Sequence, residues 1–181
     1  MNHIVASLLT AVCALSVSQL AQAELKVGEQ APDFTAQAAL AGQVSSFSLA
    51  QALKSGPVVL YFYPAAFTTG CTIEAHLFAE AIDKYKALGA TVIGVSNDQL
   101  DTLKQFSLSA CGSKFAVAAD TDQKIMKSYD AVLMFKTNYA NRASYVIAPD
   151  HTIVYEYTSM SPDLHVTNTL HALQQWHDKN R

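Results

Sequence analysis

The stretch Pro57 to Tyr63 constrains this chain more than any other. Val58-Val59-Leu60-Tyr61-Phe62-Tyr63 is an unbroken apolar run of β-branched and aromatic residues, bounded by Gly56-Pro57 and Pro64. A run without polar alternation reads as a strand buried on both faces, which needs helices above and below it. The next residues meet that need. From Cys71 to Leu88, Ile73, Leu77, Phe78, Ala81, Ile82 and Tyr85 recur at helical spacing, with Glu80, Asp83 and Lys84 outside, and Gly89 stops the helix. Ala90 to Val95 is then a second buried strand. The pattern alternates strand and helix.

The same alternation continues to the C-terminus. Asp98 to Ala110 predicts a helix with Leu100, Leu103 and Phe106 inward and Gly112 as its stop. Phe115 to Ala119 predicts a short strand and Asp122 to Tyr129 a short helix. Arg142 to Ala148 and Thr152 to Thr158 predict two strands joined at Pro149-Asp150-His151, with a histidine where glycine would be easier. A last helix is expected from Pro162 to His177. Glu24 to Leu53 is expected to add short strands and one helical turn. The fold class is α/β, with a mixed central sheet flanked by helices.

The first residues differ from the rest. Ile4 to Val17 is almost wholly apolar or small, no charged side chain precedes Glu24, and Ala21-Gln22-Ala23 offers a small-x-small cleavage pattern. We expect residues 1–23 to be a signal peptide and residues 24–181 the mature domain, exported and periplasmic. Gln19 and Gln22 interrupt the run, so it falls short of the roughly 20 apolar residues of an anchor. No membrane attachment is expected after cleavage. All 12 basic and 15 acidic residues follow the cut, so the mature net charge stays at -3. With no basic patch, nucleic acid is not an expected partner. Cleavage removes Cys13 and leaves Cys71 and Cys111. Two cysteines in an exported domain ordinarily meet as a disulfide.

The two are electrostatically unequal. Cys71 falls in the first turn of a helix, where free backbone N–H groups and the positive end of the dipole converge. Cysteines so placed titrate below the usual value of about 8.5. Cys111 falls at a helix end, beside Gly112, where the dipole disfavours a thiolate. Cys71 is therefore the expected nucleophile and Cys111 the second thiol, with a structural bridge or an inert buried cysteine as open alternatives. Thr68 lies on the preceding loop, and Glu74 and Phe78 share the helix face of Cys71.

These residues resemble a known family. Pro64-x-x-x-Thr68-x-x-Cys71 is similar to the active-site signature of peroxiredoxins. Tyr61-Phe62-Tyr63-Pro64 and Gly70-Cys71-Thr72-x-Glu74 resemble the peroxiredoxin Q group, also called bacterioferritin comigratory proteins. Ala119-Asp120-Thr121-Asp122, Arg142-x-Ser144-Tyr145-Val146-Ile147 and Pro149-Asp150 match in the same order. The resemblance implies a thioredoxin-like fold and a thiol-dependent peroxidase acting on hydrogen peroxide and organic hydroperoxides. It makes Cys71 the peroxidatic cysteine, oxidised to a sulfenic acid. Thr68 would bond the peroxide, and Arg142 would contact sulfur and peroxide. Glu74 would orient Arg142, and Pro64 would shield the sulfur. It also implies a resolving intramolecular disulfide between Cys71 and Cys111, with local unwinding, and a thioredoxin-like reductant. No cofactor or metal is expected, and a monomer is.

Three departures stand out. His76 holds the position where many members carry the resolving cysteine. Thr69 replaces a common proline, and Ala65-Ala66-Phe67 replaces a more polar loop, an apolar rim suited to organic hydroperoxides. His165, His171 and His177, six residues apart, do not share one helix face and are expected on the surface, as is His76. Trp176, Tyr61, Phe62 and Phe78 read as core, and no glycine-rich phosphate loop is present. Two other functions fit parts of the pattern. One is an exported thioredoxin-like disulfide oxidoreductase, though Cys-x-x-Cys is missing. The other is a non-catalytic binding domain with a structural disulfide.

Overall fold

A computed structural model describes residues 25–180. The expected signal peptide, residues 1–23, lies outside the described residues. The elements run β1 (Thr35–Leu40), β2 (Gln43–Ser48), α1 (Leu49–Leu53), β3 (Val58–Phe62), α2 (Thr69–Ala87), β4 (Thr91–Ser96), α3 (Leu100–Leu108), β5 (Ala116–Ala119), α4 (Lys124–Ser128), β6 (Ala143–Ile147), β7 (Ile153–Thr158) and α5 (His165–Lys179). The seven strands form one sheet in the order β2-β1-β5-β4-β3-β6-β7. β3 pairs parallel with β4 and antiparallel with β6, so the sheet is mixed, as expected.

Every residue of β3 is fully buried. Its alternation divides the core in two. Val59, Tyr61 and Tyr63 join one cluster with Ala75, Phe78 and Tyr85 of α2, Phe106 of α3 and Leu173 of α5. Val58, Leu60 and Phe62 join a second with Leu49 and Leu53 of α1 and Met126 of α4. At about 1.5–3 kcal/mol for each large side chain removed from water, this strand anchors both layers.

α2 ends as the sequence predicts. Gly89 takes φ +70, its N–H donates to the Lys86 carbonyl, and the Ala90 N–H donates to the Tyr85 carbonyl. That pair of bonds closes the helix with a left-handed residue that glycine adopts without strain. The other predicted ends are corrected. α3 stops at Leu108, so Cys111 sits past the helix in a run of turns rather than at its end. α4 begins at Lys124, because Gln123 adopts φ +60 and the Asp120 carboxylate accepts from the N–H groups of Ile125 and Met126. α5 begins at His165 rather than Pro162. Arg142 lies immediately before β6 rather than inside it. Ile73 is 43% exposed and not a core residue, because the buried stripe of α2 runs through Cys71, Ala75, Phe78 and Ile82. In the β6–β7 turn, His151 takes φ +67, the strained place foreseen for it.

Candidate active site

β3 delivers the chain through the loop Tyr63–Thr68 into the N-terminus of α2. Thr68 caps that helix with extended backbone (φ -72, ψ 152) and makes no side-chain capping bond. Its hydroxyl instead donates to the Ala65 carbonyl at 2.9 Å. The loop is fixed from the other side by Asp98, whose Oδ2 accepts from the Ala66 N–H at 2.7 Å and from the Ser96 hydroxyl at 2.8 Å. Pro64 is half-buried. Phe67 is exposed, takes φ +65, and sets its ring edge-on against Phe106 of α3, with centroids 5.2 Å apart.

Cys71 is the third residue of α2 and only 1% exposed. The start of β6 comes to it because β3 and β6 are antiparallel neighbours, with Phe62 opposite Ala143. Arg142 therefore stands beside the loop that leaves β3. Each edge of its guanidinium is used. Nη2 donates to Cys71 Sγ at 3.4 Å, Nε donates to the Met160 carbonyl at 3.1 Å, and Nη1 donates to Glu74 Oε2. A planar fork with fixed donors suits three partners at once. Gly70 leaves room for it, since a Cβ there would sit 3.1 Å from Arg142 Nη2.

Glu74 is fully buried one turn after Cys71. Burial pushes its carboxyl above the ordinary range, and the Arg142 guanidinium against it pulls the other way. Its second oxygen, Oε1, has no hydrogen-bond partner among the described residues. His165 Nδ1 lies 3.7 Å from it. Here the structure corrects the expectation from sequence: His165 is fully buried, not a surface residue. Its Nδ1 lies 2.8 Å from the Ser144 hydroxyl and its Nε2 lies 2.9 Å from the Ser159 carbonyl. Burial lowers its pKa to about 4, so it is neutral near pH 7.

Thus Cys71, Arg142, Glu74, Gly70 and the Thr68 loop converge. Cys111 does not bond with Cys71: both thiols are free and buried within the same apolar cluster. Burial pushes the Cys111 thiol up to about 12. Sequence reading missed His165, Ser144, Asp98 and the Met160 carbonyl. His165 was within reach. It shares a helix face with Val166, Thr169, Ala172 and Leu173, the buried side of α5. Ser144 falls two residues after Arg142, on the same side of the chain.

Residues 27–156 match the AhpC/TSA family. The chain is 33% identical over 150 residues to chloroplastic peroxiredoxin Q of Oryza sativa subsp. japonica; the match covers 81% of this chain but 66% of that protein, just under two thirds of its length. It is 31% identical over 160 residues to chloroplastic peroxiredoxin Q of Populus jackii, covering 88% of this chain and 73% of that one. Among solved structures it resembles peroxidoxin BcpB from Mycobacterium tuberculosis, with a TM-score of 0.76, 27% identity, and 83% and 97% of the two chains covered. The fold is thioredoxin-like, and the site is a cysteine at a helix N-terminus faced by an arginine. The chain belongs to the AhpC/TSA family, among the peroxiredoxins of the Q group.

Proposed function

We propose that this protein is a thiol-dependent peroxidase that reduces hydrogen peroxide and organic hydroperoxides. One observation carries the reading: the Cys71 sulfur is buried at the start of α2 with Arg142 Nη2 at 3.4 Å, and Glu74 holds that arginine from behind. The Cys71 thiolate attacks the nearer peroxide oxygen. A sulfur–oxygen bond forms as the oxygen–oxygen bond breaks, and the departing oxygen takes a proton to leave as water or an alcohol. The product is a sulfenic acid. Arg142 and the N–H groups of the first helical turn meet the negative charge as it passes to the departing oxygen. The Thr68 hydroxyl, already donating to Ala65, receives the peroxide O–H. Pro64 and the apolar loop Ala65–Phe67 limit water and suit organic hydroperoxides.

Cys111 then attacks the sulfenic sulfur, releasing water and leaving a disulfide. This step takes local unwinding of the first turn of α2, where Cys71 is buried. A thioredoxin-like dithiol returns both sulfurs to thiols. No cofactor or metal takes part. Residues 1–23 act as a cleaved signal peptide, and residues 24–181 work as an exported, periplasmic monomer. Among the described residues no helix is long and apolar enough to cross a membrane.

The test compares wild type, Cys71→Ser and Cys111→Ser in consuming hydrogen peroxide or an organic hydroperoxide with dithiothreitol, followed by mass analysis without reductant. Wild type should turn over and Cys71→Ser should not. Cys111→Ser should stop at a sulfenic or more oxidised Cys71. Three inert proteins differing only in stability would instead point to a structural bridge. Disulfide exchange without peroxide consumption would point to an oxidoreductase.

A further inference from the structure

We infer that His165 is a positioning residue that holds the Arg142–Glu74 pair against Cys71. Its consequence for turnover rests on the peroxidase reading. The ring's two nitrogens have distinct partners. A carbonyl only accepts, so the bond to the Ser159 oxygen puts the hydrogen on Nε2. Nδ1 is then the acceptor, and the Ser144 hydroxyl donates to it. Each bond reaches part of the frame around Arg142. Ser144 lies on β6, two residues beyond Arg142. Ser159 precedes Met160, whose carbonyl accepts from Arg142 Nε, and the Ser159 N–H donates to the Arg142 carbonyl at 3.1 Å.

His165 thus ties the segment Ser159–Met160 to β6, and that segment grips both the backbone and the side chain of Arg142. The ring also walls the far side of Glu74, with Nδ1 3.7 Å from the unpartnered Oε1. Tyr157 of β7 closes the ring's remaining side edge-on, with centroids 4.8 Å apart. The charged or titratable groups facing it are Glu74 from α2, Arg142 from the head of β6 and Tyr157 from β7. A neutral ring suits that place. It leaves Glu74 to Arg142, whereas a cation there would compete for the carboxylate.

The test uses His165→Leu, His165→Gln and Ser144→Ala in the full chain, with folding checked by circular dichroism and thermal unfolding. Two rates are read: Cys71 oxidation by hydrogen peroxide in a single turnover, and Cys71 alkylation by iodoacetamide at pH 7, located by peptide mass. Leucine removes both bonds; glutamine keeps an amide donor for the Ser159 carbonyl. In folded His165→Leu both rates should fall about tenfold, and His165→Gln should recover most of the loss. A folded leucine variant that reacts like wild type overturns the inference. If the leucine variant does not fold, Ser144→Ala decides: slowing of both rates supports the inference, and wild-type rates overturn it. If wild type ignores peroxide yet alkylation still shows the pattern, the peroxidase reading fails and the positioning role stands.

Discussion

Arg142 gathers the contacts of the candidate site in one side chain. Its three donating nitrogens have three different partners, a sulfur, a carboxylate and a carbonyl. Lysine carries the same charge but as a single ammonium, which cannot span that triangle. Arg142→Lys should retain the fold and lower the single-turnover rate of Cys71 with hydrogen peroxide about 10²-fold, in the range expected for removing one preorganised donor. A loss of less than about threefold would show that charge alone suffices. At this scale the meeting of Cys71, Glu74 and Arg142 was legible in the sequence because a short signature and a strand pattern carry them. His165 was not, because a lone histidine in a six-residue spacing belongs to no motif. The spacing of His165, His171 and His177 says nothing about which face of α5 each takes against the sheet.

At the scale of elements, the first turn of α2 is the part that the proposed disulfide step would unwind. Thr68 gives it no side-chain cap, and Thr69 occupies the first helical position. Proline is favoured there, since its fixed φ is helical and no intrahelical donor is lost. The preceding residue already has the extended backbone that proline demands (φ -72, ψ 152). Thr69→Pro should therefore stabilise the protein by about 0.5–1 kcal/mol in urea unfolding, mostly by narrowing the unfolded ensemble. It should also slow disulfide formation after peroxide treatment, read by quenched mass analysis, because the same turn becomes harder to unwind. Unchanged kinetics would show that α2 is not the element that opens. The strand–helix–strand core was legible because buried strands and an amphipathic helix write themselves locally. Helix ends were not. α4 is capped by Asp120 from the preceding loop, and Gln123 bends left-handed without any glycine to announce it.

For the molecule as a whole, Cys111 links the core to pH. Burial raises its pKa from 9.0 to about 12. The folded chain therefore keeps a proton that the unfolded chain releases. The stability this supplies is complete below pH 9 and is lost as pH rises through 12. Relative to Cys111→Ala, wild type should lose roughly 1 kcal/mol per pH unit across that window, measured by urea unfolding. Parallel curves for the two proteins would mean that Cys111 already meets water.

The pairing of Phe62 with Ala143 has a consequence in time. Synthesis delivers Cys71 well before Arg142, and the two meet only when β6 has slotted in beside β3. A nascent or half-folded chain therefore carries its cysteine without a guanidinium beside it. The contact between the two is thus a by-product of the β3–β6 pairing. A chain that has not yet seated β6 therefore lacks the bond from Arg142 to the Cys71 sulfur.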